Sequence, residues 1–283
     1  MDEVANAHTT FKIIEVLFMF PCTPLVVALT EKIIPGEDQK VHHNELQYIT
    51  EISLKSPATM IPQAKNELKR MADMAQENLD RSIKGFLNQS DEYLNKIYHR
   101  EEDINNVSHA ITDYLVKSNQ LSLPLADQKI LGSMFYVVND IERIGDHAEN
   151  FADYTKTELK HNTGLTGDAK EEIKKMYEAV SKLLKLSLES FMAQDGVNTQ
   201  EDKLAEIAAL EASIDKMERR YQKHHIKRLA KGDCEPRAGL LFSDMLSELE
   251  RIADHSVNIA YSMSDEDEDE MLAAENEALA TNN

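Results

Sequence analysis

No tryptophan occurs among the 283 residues, and only nine glycines and seven prolines interrupt them. A sandwich or barrel of short strands needs far more turn residues, so this scarcity argues against such folds and for long unbroken helices. Cysteine is nearly as rare. Cys22 and Cys234 stand far apart with no Cys-x-x-Cys or zinc-knuckle spacing, which argues against a disulfide framework or zinc ribbon and leaves reduced thiols in a cytosolic compartment as the expectation. Positive charge is the third shortage: 31 Lys and Arg against 51 Asp and Glu give a formal net charge of −20. Such a surface repels phosphate backbones, which disfavours nucleic acid and anionic membrane surfaces as partners and favours cations, either metal ions or a basic protein face. The chain also lacks a Gly-rich phosphate loop, a nucleophile elbow and a Ser/His/Asp array.

Long apolar runs are absent except for one. Ile13 to Leu29 is a 17-residue stretch interrupted by Glu15 and two prolines, near the lower limit for a membrane-spanning helix. The acidic start and the lack of a small-x-small cleavage site argue against a signal peptide. By composition alone the stretch reads equally well as a membrane segment or as a buried helix kinked at Pro21 and Pro24. Pro35-Gly36 ends it, and residues 37–60 read as a polar linker.

From there, apolar residues recur at three-to-four spacing. Helices are expected over about 61–88, from Asp91 as a cap to Lys117, and over 125–160, followed by a linker at His161–Asp168. The pattern then repeats, with helices to the break at QDGVNTQ, over about 201–230, and from Pro236 to about Met263. The expectation is an all-α fold: a tandem pair of three-helix bundles, 61–160 and 168–263, preceded by one N-terminal hydrophobic helix in residues 1–36. The like-charge run SDEDEDE opens an acidic tail, 264–283, expected to be disordered.

The last helix of each bundle carries the same polar sequence. DIERIGDHAENFA, Asp140 to Ala152, returns 108 positions later as ELERIADHSVNIA, Glu248 to Ala260. At about 100° per residue, Glu142 and Asp146 share one face, as do Glu250 and Asp254, each beside the apolar stripe. Glu149 and Asp153 extend the first stripe, whereas Val257 and Tyr261 hold the matching places in the second. The middle helices add Glu211 and Asp215 at the same spacing, and Glu101 with Asn105 in place of the second carboxylate. Like charges four apart destabilise a helix, and facing pairs repel more unless a cation or arginine intervenes. Arg143 and Arg251 lie about 100° from the preceding Glu and are not expected to neutralise it. Carboxylate sets of this kind suit hard or borderline cations such as iron, manganese, magnesium or calcium. His147 and His255, set some 140° from the Glu positions, are expected to bridge helices or meet solvent. The cluster Arg219-Arg220, His224-His225, Lys227-Arg228 reads either as charge balance or as a docking patch for an acidic partner or anion.

These motifs resemble the PhoU family of phosphate-uptake regulators. DIERIGDHAEN and ELERIADHSVN each close a three-helix repeat, with HHIKRLAKGDCEP before the second, over about residues 60–263. The resemblance implies metal clusters, with iron, manganese or zinc as the ion, held by Glu142, Asp146, Glu250 and Asp254, together with Glu101, Glu211 and Asp215. Residues ANAHTTFKIIEVLFMFPCTPLVVALTEKIIPGED resemble the last membrane segment of bacterial sodium/phosphate cotransporters. This implies an inner-membrane location with the helical domain on the cytoplasmic face. The implied partners are the transporter's membrane core or a phosphate-signalling protein, with a homo-oligomer also open. One such helix forms no transport path, so regulation by docking is expected rather than transport. The competing expectations are a carboxylate-bridged metalloenzyme or metal-storage bundle, and a plain helical scaffold with solvated acidic stripes.

Overall fold

Six α-helices make up nearly all of the described residues, 46–50, 57–161, 164–193 and 197–262, of the computed structural model. In chain order they are α1 (Pro57–Leu87), α2 (Leu94–Asn119), α3 (Leu125–His161), α4 (Gly167–Met192), α5 (Val197–Lys231) and α6 (Pro236–Tyr261). Each buries one apolar stripe. In α1 the buried positions Ala64, Leu68, Met71, Ala75, Leu79, Ile83 and Phe86 follow the helical period against a polar remainder. The helices α1, α2 and α3 pack on one another, as do α4, α5 and α6, and the two bundles meet through α3 against α6 and α1 against α4.

Local chemistry sets several ends. Thr166 caps α4 by accepting from the Ala169 amide at 3.3 Å. Pro236 opens α6, where its missing N–H goes unused. Gly232 follows α5 at φ +77°, the left-handed geometry that lets the Asp233 amide reach back to the Arg228 carbonyl at 2.9 Å.

Three expected boundaries are corrected. The linker expected over 37–60 ends sooner, because α1 begins at Pro57. Pro62 removes only one bond, from the second turn, and the buried Met60 holds the preceding turn on the core. Helix α2 starts at Leu94 rather than at Asp91, which instead accepts from the Leu94 amide through its carbonyl, in the turn before the helix. Helix α5 begins at Val197, inside the expected break. The N-terminal apolar run and the acidic tail lie outside the described residues. No helix among the described residues is long and apolar enough to cross a membrane.

The short segment before α1 is fastened to the first bundle. Glu67, fully buried, accepts from the Gln47 amide at 2.9 Å and the Tyr48 amide at 2.8 Å and pairs with Arg70, while Ile49 joins the core. Glu172, which opens EIKKM in α4 as Glu67 opens ELKRM in α1, is used differently. It takes His224 at 2.6 Å and Arg228 at 2.8 Å, both from α5.

Candidate functional site

The seven carboxylates singled out in the sequence gather into two groups, one per bundle. In the first, Glu101 of α2 is only 4% exposed and faces the motif helix α3. Burial raises its carboxyl, the charges of Asp146, Glu149 and Glu142 raise it further, and it reaches about 8. Neither Glu101 oxygen has a hydrogen-bond donor, and the Asp146 carboxylate against it could be bonded only through a proton held between the two. A buried carboxylate without a donor is expensive, so at neutral pH this group holds a proton or meets a cation. Glu142 and Glu149 are raised as well, again by burial first and then by the neighbouring aspartates.

Helix packing makes this possible at one specific position. A Cβ placed on Gly145 would lie 2.7 Å from Glu101 Oε2 and 3.3 Å from the Ile104 side chain. The glycine therefore opens the space into which Glu101 is laid. In the second copy of the motif Ala253 stands there, and Glu211 is partly exposed where Glu101 is buried.

The second group comprises Glu211 and Asp215 of α5 and Glu250 and Asp254 of α6. Burial raises Glu211, and Asp215 and Asp254 add to it. Burial also raises Glu250, with Asp254, Glu218 and Asp215 reinforcing it against Arg251. Asp254 follows the same order, with Asp215 adding to burial and His255 opposing. Glu218 belongs here too, raised by burial and by Asp215. It lies three residues after Asp215 and seven after Glu211, a helical spacing that marks it as a member of the same face. Asn105, the one non-carboxylate in the pattern, leaves the first group to recruit Glu149 instead.

The arginine of the first motif is not idle, which corrects the expectation from angular spacing in that copy. Arg143 reaches Asp146 at 3.0 Å and Glu142 at 3.8 Å, because its long side chain bends back over the turn. It is about half exposed, so this pairing is worth little and leaves Glu101 untouched. As placed, no three His, Cys, Asp or Glu side chains among the described residues converge as a ready coordination sphere.

The remaining motif residues act between the bundles. The His147 imidazole meets the Glu248 carboxylate through Nδ1, and Asn150 and Tyr154 donate to the same carboxylate at 3.2 Å each. In mirror image, His255 Nδ1 meets Asp140 at 2.8 Å and Asn258 donates to it at 3.4 Å. The two imidazoles sit 5.6 Å apart, centroid to centroid, at the centre of the α3–α6 contact. Asp140 and Glu248 occupy the same place in the two copies, two residues ahead of the Glu-Arg-Ile that both share.

One such motif thus closes each three-helix repeat, and the known proteins show the same division. The PhoU domain matches twice, at residues 68–155 and 173–263, once in each bundle. This chain belongs to the PhoU family. Among its relatives, the phosphate-specific transport system accessory protein PhoU homolog 1 of Thermotoga maritima is 20% identical over 196 residues, covering 69% of this chain and 82% of that protein. The corresponding PhoU homolog of Clostridium acetobutylicum is 23% identical over 199 residues, covering 70% and 87%. Two crystal structures share the fold: PhoU from Pseudomonas aeruginosa, with a TM-score of 0.64 at 19% identity over 73% of this chain and 96% of that one, and the regulatory protein PhoU from Streptococcus pneumoniae, with 0.64 at 20% identity over 74% and 95%.

Proposed function

We propose that this PhoU-family chain is a non-catalytic regulator of phosphate uptake that binds metal at its two carboxylate groups and acts by docking to a transporter core or a phosphate-signalling protein. The relatives' role as accessory proteins of phosphate-specific transport supports the regulatory part. The sodium-coupled setting rests on the sequence of residues 1–36 and its resemblance to a cotransporter's last membrane segment.

The observation that carries the metal reading is Glu101, buried without a donor against the carboxylates of Asp146, Glu149 and Glu142. An all-oxygen, all-carboxylate donor set fits a hard or borderline cation, with iron, manganese or zinc as candidates. Glu101, Glu142, Asp146 and Glu149 would hold it in the first bundle, and Glu211, Asp215, Glu218, Glu250 and Asp254 in the second. Bound there, the ion supplies the positive charge that lets these carboxylates ionise together. Side-chain rotation has to bring the donors together, since they are not yet converged. Each group spans two helices, Glu101 against α3 and Glu211 against α6, so ligation ties the middle helix of each bundle to the motif helix and stiffens the surface they present.

The test is phosphate uptake. Sodium-driven uptake of radiolabelled phosphate is measured in cells expressing a cotransporter core without such a domain, alone, with this chain, and with the Glu142→Ala, Asp146→Ala, Glu250→Ala, Asp254→Ala variant. The reading requires that the chain changes the uptake rate and that the variant does so less. Equal uptake in all three would remove it.

A further inference from the structure

The clasp between the bundles uses only one nitrogen of each histidine. His147 and His255 commit Nδ1 to the carboxylates of Glu248 and Asp140, and Nε2 of either ring has no hydrogen-bond partner among the described residues. Neither Nε2 is sealed off, in contrast to His225, whose Nδ1 is buried without a partner. The two rings lie 5.6 Å apart, centroid to centroid, with 36° between their planes. The His255 side chain is 24% exposed, so solvent reaches the pair from its side.

We propose that His147 and His255 form a cation site of their own, in which Nε2 of each imidazole binds one borderline divalent ion of the zinc class across the two bundles, with water in the remaining positions. The site is separate from the two carboxylate groups and does not depend on their holding metal.

The first support is the tautomer. A carboxylate only accepts, so the proton of each neutral imidazole sits on Nδ1 and the lone pair on Nε2. Metal-ligating histidines nearly always donate their other nitrogen in this way, which orients the ring and raises its basicity. The carboxylates are themselves held: Asn150 and Tyr154 donate to Glu248, and Asn258 to Asp140. Asp140 and Glu248 are both buried, and the two negative charges they bring into the interface are offset by one divalent ion.

The second support is the spacing. A zinc–nitrogen bond of about 2.0–2.1 Å puts the ring centre about 3.2 Å from the ion. Two imidazoles on one ion then have centres about 5.2 Å apart at an angle of about 110°, and about 5.5 Å apart at about 120°. The observed 5.6 Å is within a few tenths of an ångström of this, and small turns of the side chains bring both Nε2 atoms to one point.

Imidazole nitrogen favours zinc, copper and nickel over magnesium or calcium, so this site selects differently from an all-oxygen set. Two protein ligands are fewer than the four of a closed structural site, in keeping with the lack of three converging side chains among the described residues. The ion therefore exchanges readily, is lost on purification, and returns when zinc is supplied. One ligand comes from α3 and the other from α6, so the bound ion ties bundle to bundle, whereas the carboxylate groups tie helices within a bundle.

The test uses the full chain in mild detergent carrying Glu142→Ala, Asp146→Ala, Glu250→Ala and Asp254→Ala, so that its outcome stands apart from metal at the carboxylate groups. Removing mutually repelling charges leaves the helices intact. Cu(II) is added below one equivalent as the probe, and pulsed electron paramagnetic resonance counts the bound imidazoles through the remote nitrogen of each ring. Two imidazoles are expected, with the copper displaced by added Zn(II). Adding His255→Ala should leave at most one imidazole on the copper and weaken zinc binding at least about tenfold. Because that change also loosens the clasp, Asp140→Asn is run beside it, with circular dichroism to show that both proteins are folded. Asparagine keeps an acceptor for Nδ1 and removes only the charge, so both imidazoles should stay on the copper while zinc binds about tenfold more weakly. A copper centre with fewer than two imidazoles, or a two-imidazole signal that survives His255→Ala in a folded protein, would overturn the proposal. The second result would place the copper on other histidines of the chain.

Discussion

His147 on α3 and Glu248 on α6 are partners across the interface of the two bundles, and each copy of the repeated motif contributes one of them. The reciprocal pair, His255 with Asp140, completes the exchange. This answers why the same polar residues recur in both halves. The leading acid, the His and the Asn of each copy clasp the other bundle, while the Glu and Asp of each copy line their own carboxylate group. Asp146 and His147 are adjacent in sequence, about 100° apart on the helix, so one turn of α3 serves both tasks.

The clasp has a measurable strength. His147 is buried whereas His255 is about a quarter exposed. His147→Ala leaves the buried Glu248 short of a partner and is expected to lower stability by about 2–3 kcal/mol. His255→Ala vacates a partly exposed position beside Asp140, which is as buried as Glu248, and is expected to cost less, about 1–2 kcal/mol. Urea unfolding of the metal-free protein checks the order. Burial pushes the Glu248 carboxyl up, but bonds from His147, Asn150 and Tyr154 together bring it below its ordinary value. A carboxyl lowered on folding stabilises above its unfolded pKa and loses that contribution as pH falls through the folded value. The gap between parent and His147→Ala should therefore narrow in acid, below about pH 4.

Glu101 has the opposite sign. Its carboxyl is raised on folding to about 8, so the folded state binds the extra proton between the unfolded carboxylate value and pH 8. Stability of the metal-free protein is then expected to decline as pH rises through that window. Glu101→Gln, which keeps the shape and removes the charge, should abolish much of the decline. Thermal unfolding of the chelator-treated proteins at pH 5 and pH 8 measures it. A parent as stable at pH 8 as at pH 5, with no difference from the variant, would show that Glu101 is not the strained group described here.

Gly145→Ala probes the position that distinguishes the two bundles. The added methyl would meet Glu101 Oε2 at 2.7 Å, and the carboxylate is the flexible end of its side chain, so it moves rather than the helix. The second bundle already lives with Ala253 in this place. The variant is expected to fold, with the roughly 1 kcal/mol gain in helix propensity offset by the lost packing. Its first site should bind metal more weakly, read as a lower stoichiometry or an affinity at least about tenfold worse by equilibrium dialysis. Unchanged binding would separate Glu101 from the site.

Much of this was legible before the structure. The helical period of the apolar residues gave six helices in two similar sets, and the doubled motif pointed to Glu142, Asp146, Glu250 and Asp254. Glu218 was missed because it lies outside the four-residue spacing used to find pairs, although it is a helical neighbour of both Glu211 and Asp215. The reach of Arg143 was missed because angular position describes where a Cβ points and not where a long side chain ends. The start of α1 was misplaced because two prolines mask a turn that burial of Met60 holds in place. The clasp could not be read at all, since no spacing within one helix says that His147 will find Glu248 a hundred residues on.

Glu67 tests the attachment of the segment before α1. Replacing it with Gln removes the charge that Arg70 and the Gln47 and Tyr48 amides share. Amide hydrogen exchange at Gln47 and Tyr48 is expected to rise at least about tenfold, with the α3–α6 interface still protected. Equal protection at both amides would mean that Ile49 and its neighbours hold the segment without Glu67.

The most direct test of the account is the metal content of the full chain, purified in detergent without an affinity metal and measured by inductively coupled plasma mass spectrometry. It is compared with a folded variant carrying Glu142→Ala, Asp146→Ala, Glu250→Ala and Asp254→Ala. Iron, manganese or zinc at near-integer stoichiometry in the parent, absent from the variant, is the predicted result. A parent that stays metal-free after incubation with each ion, and matches the variant in content, would contradict the account and leave the doubled motif as an inter-bundle clasp alone.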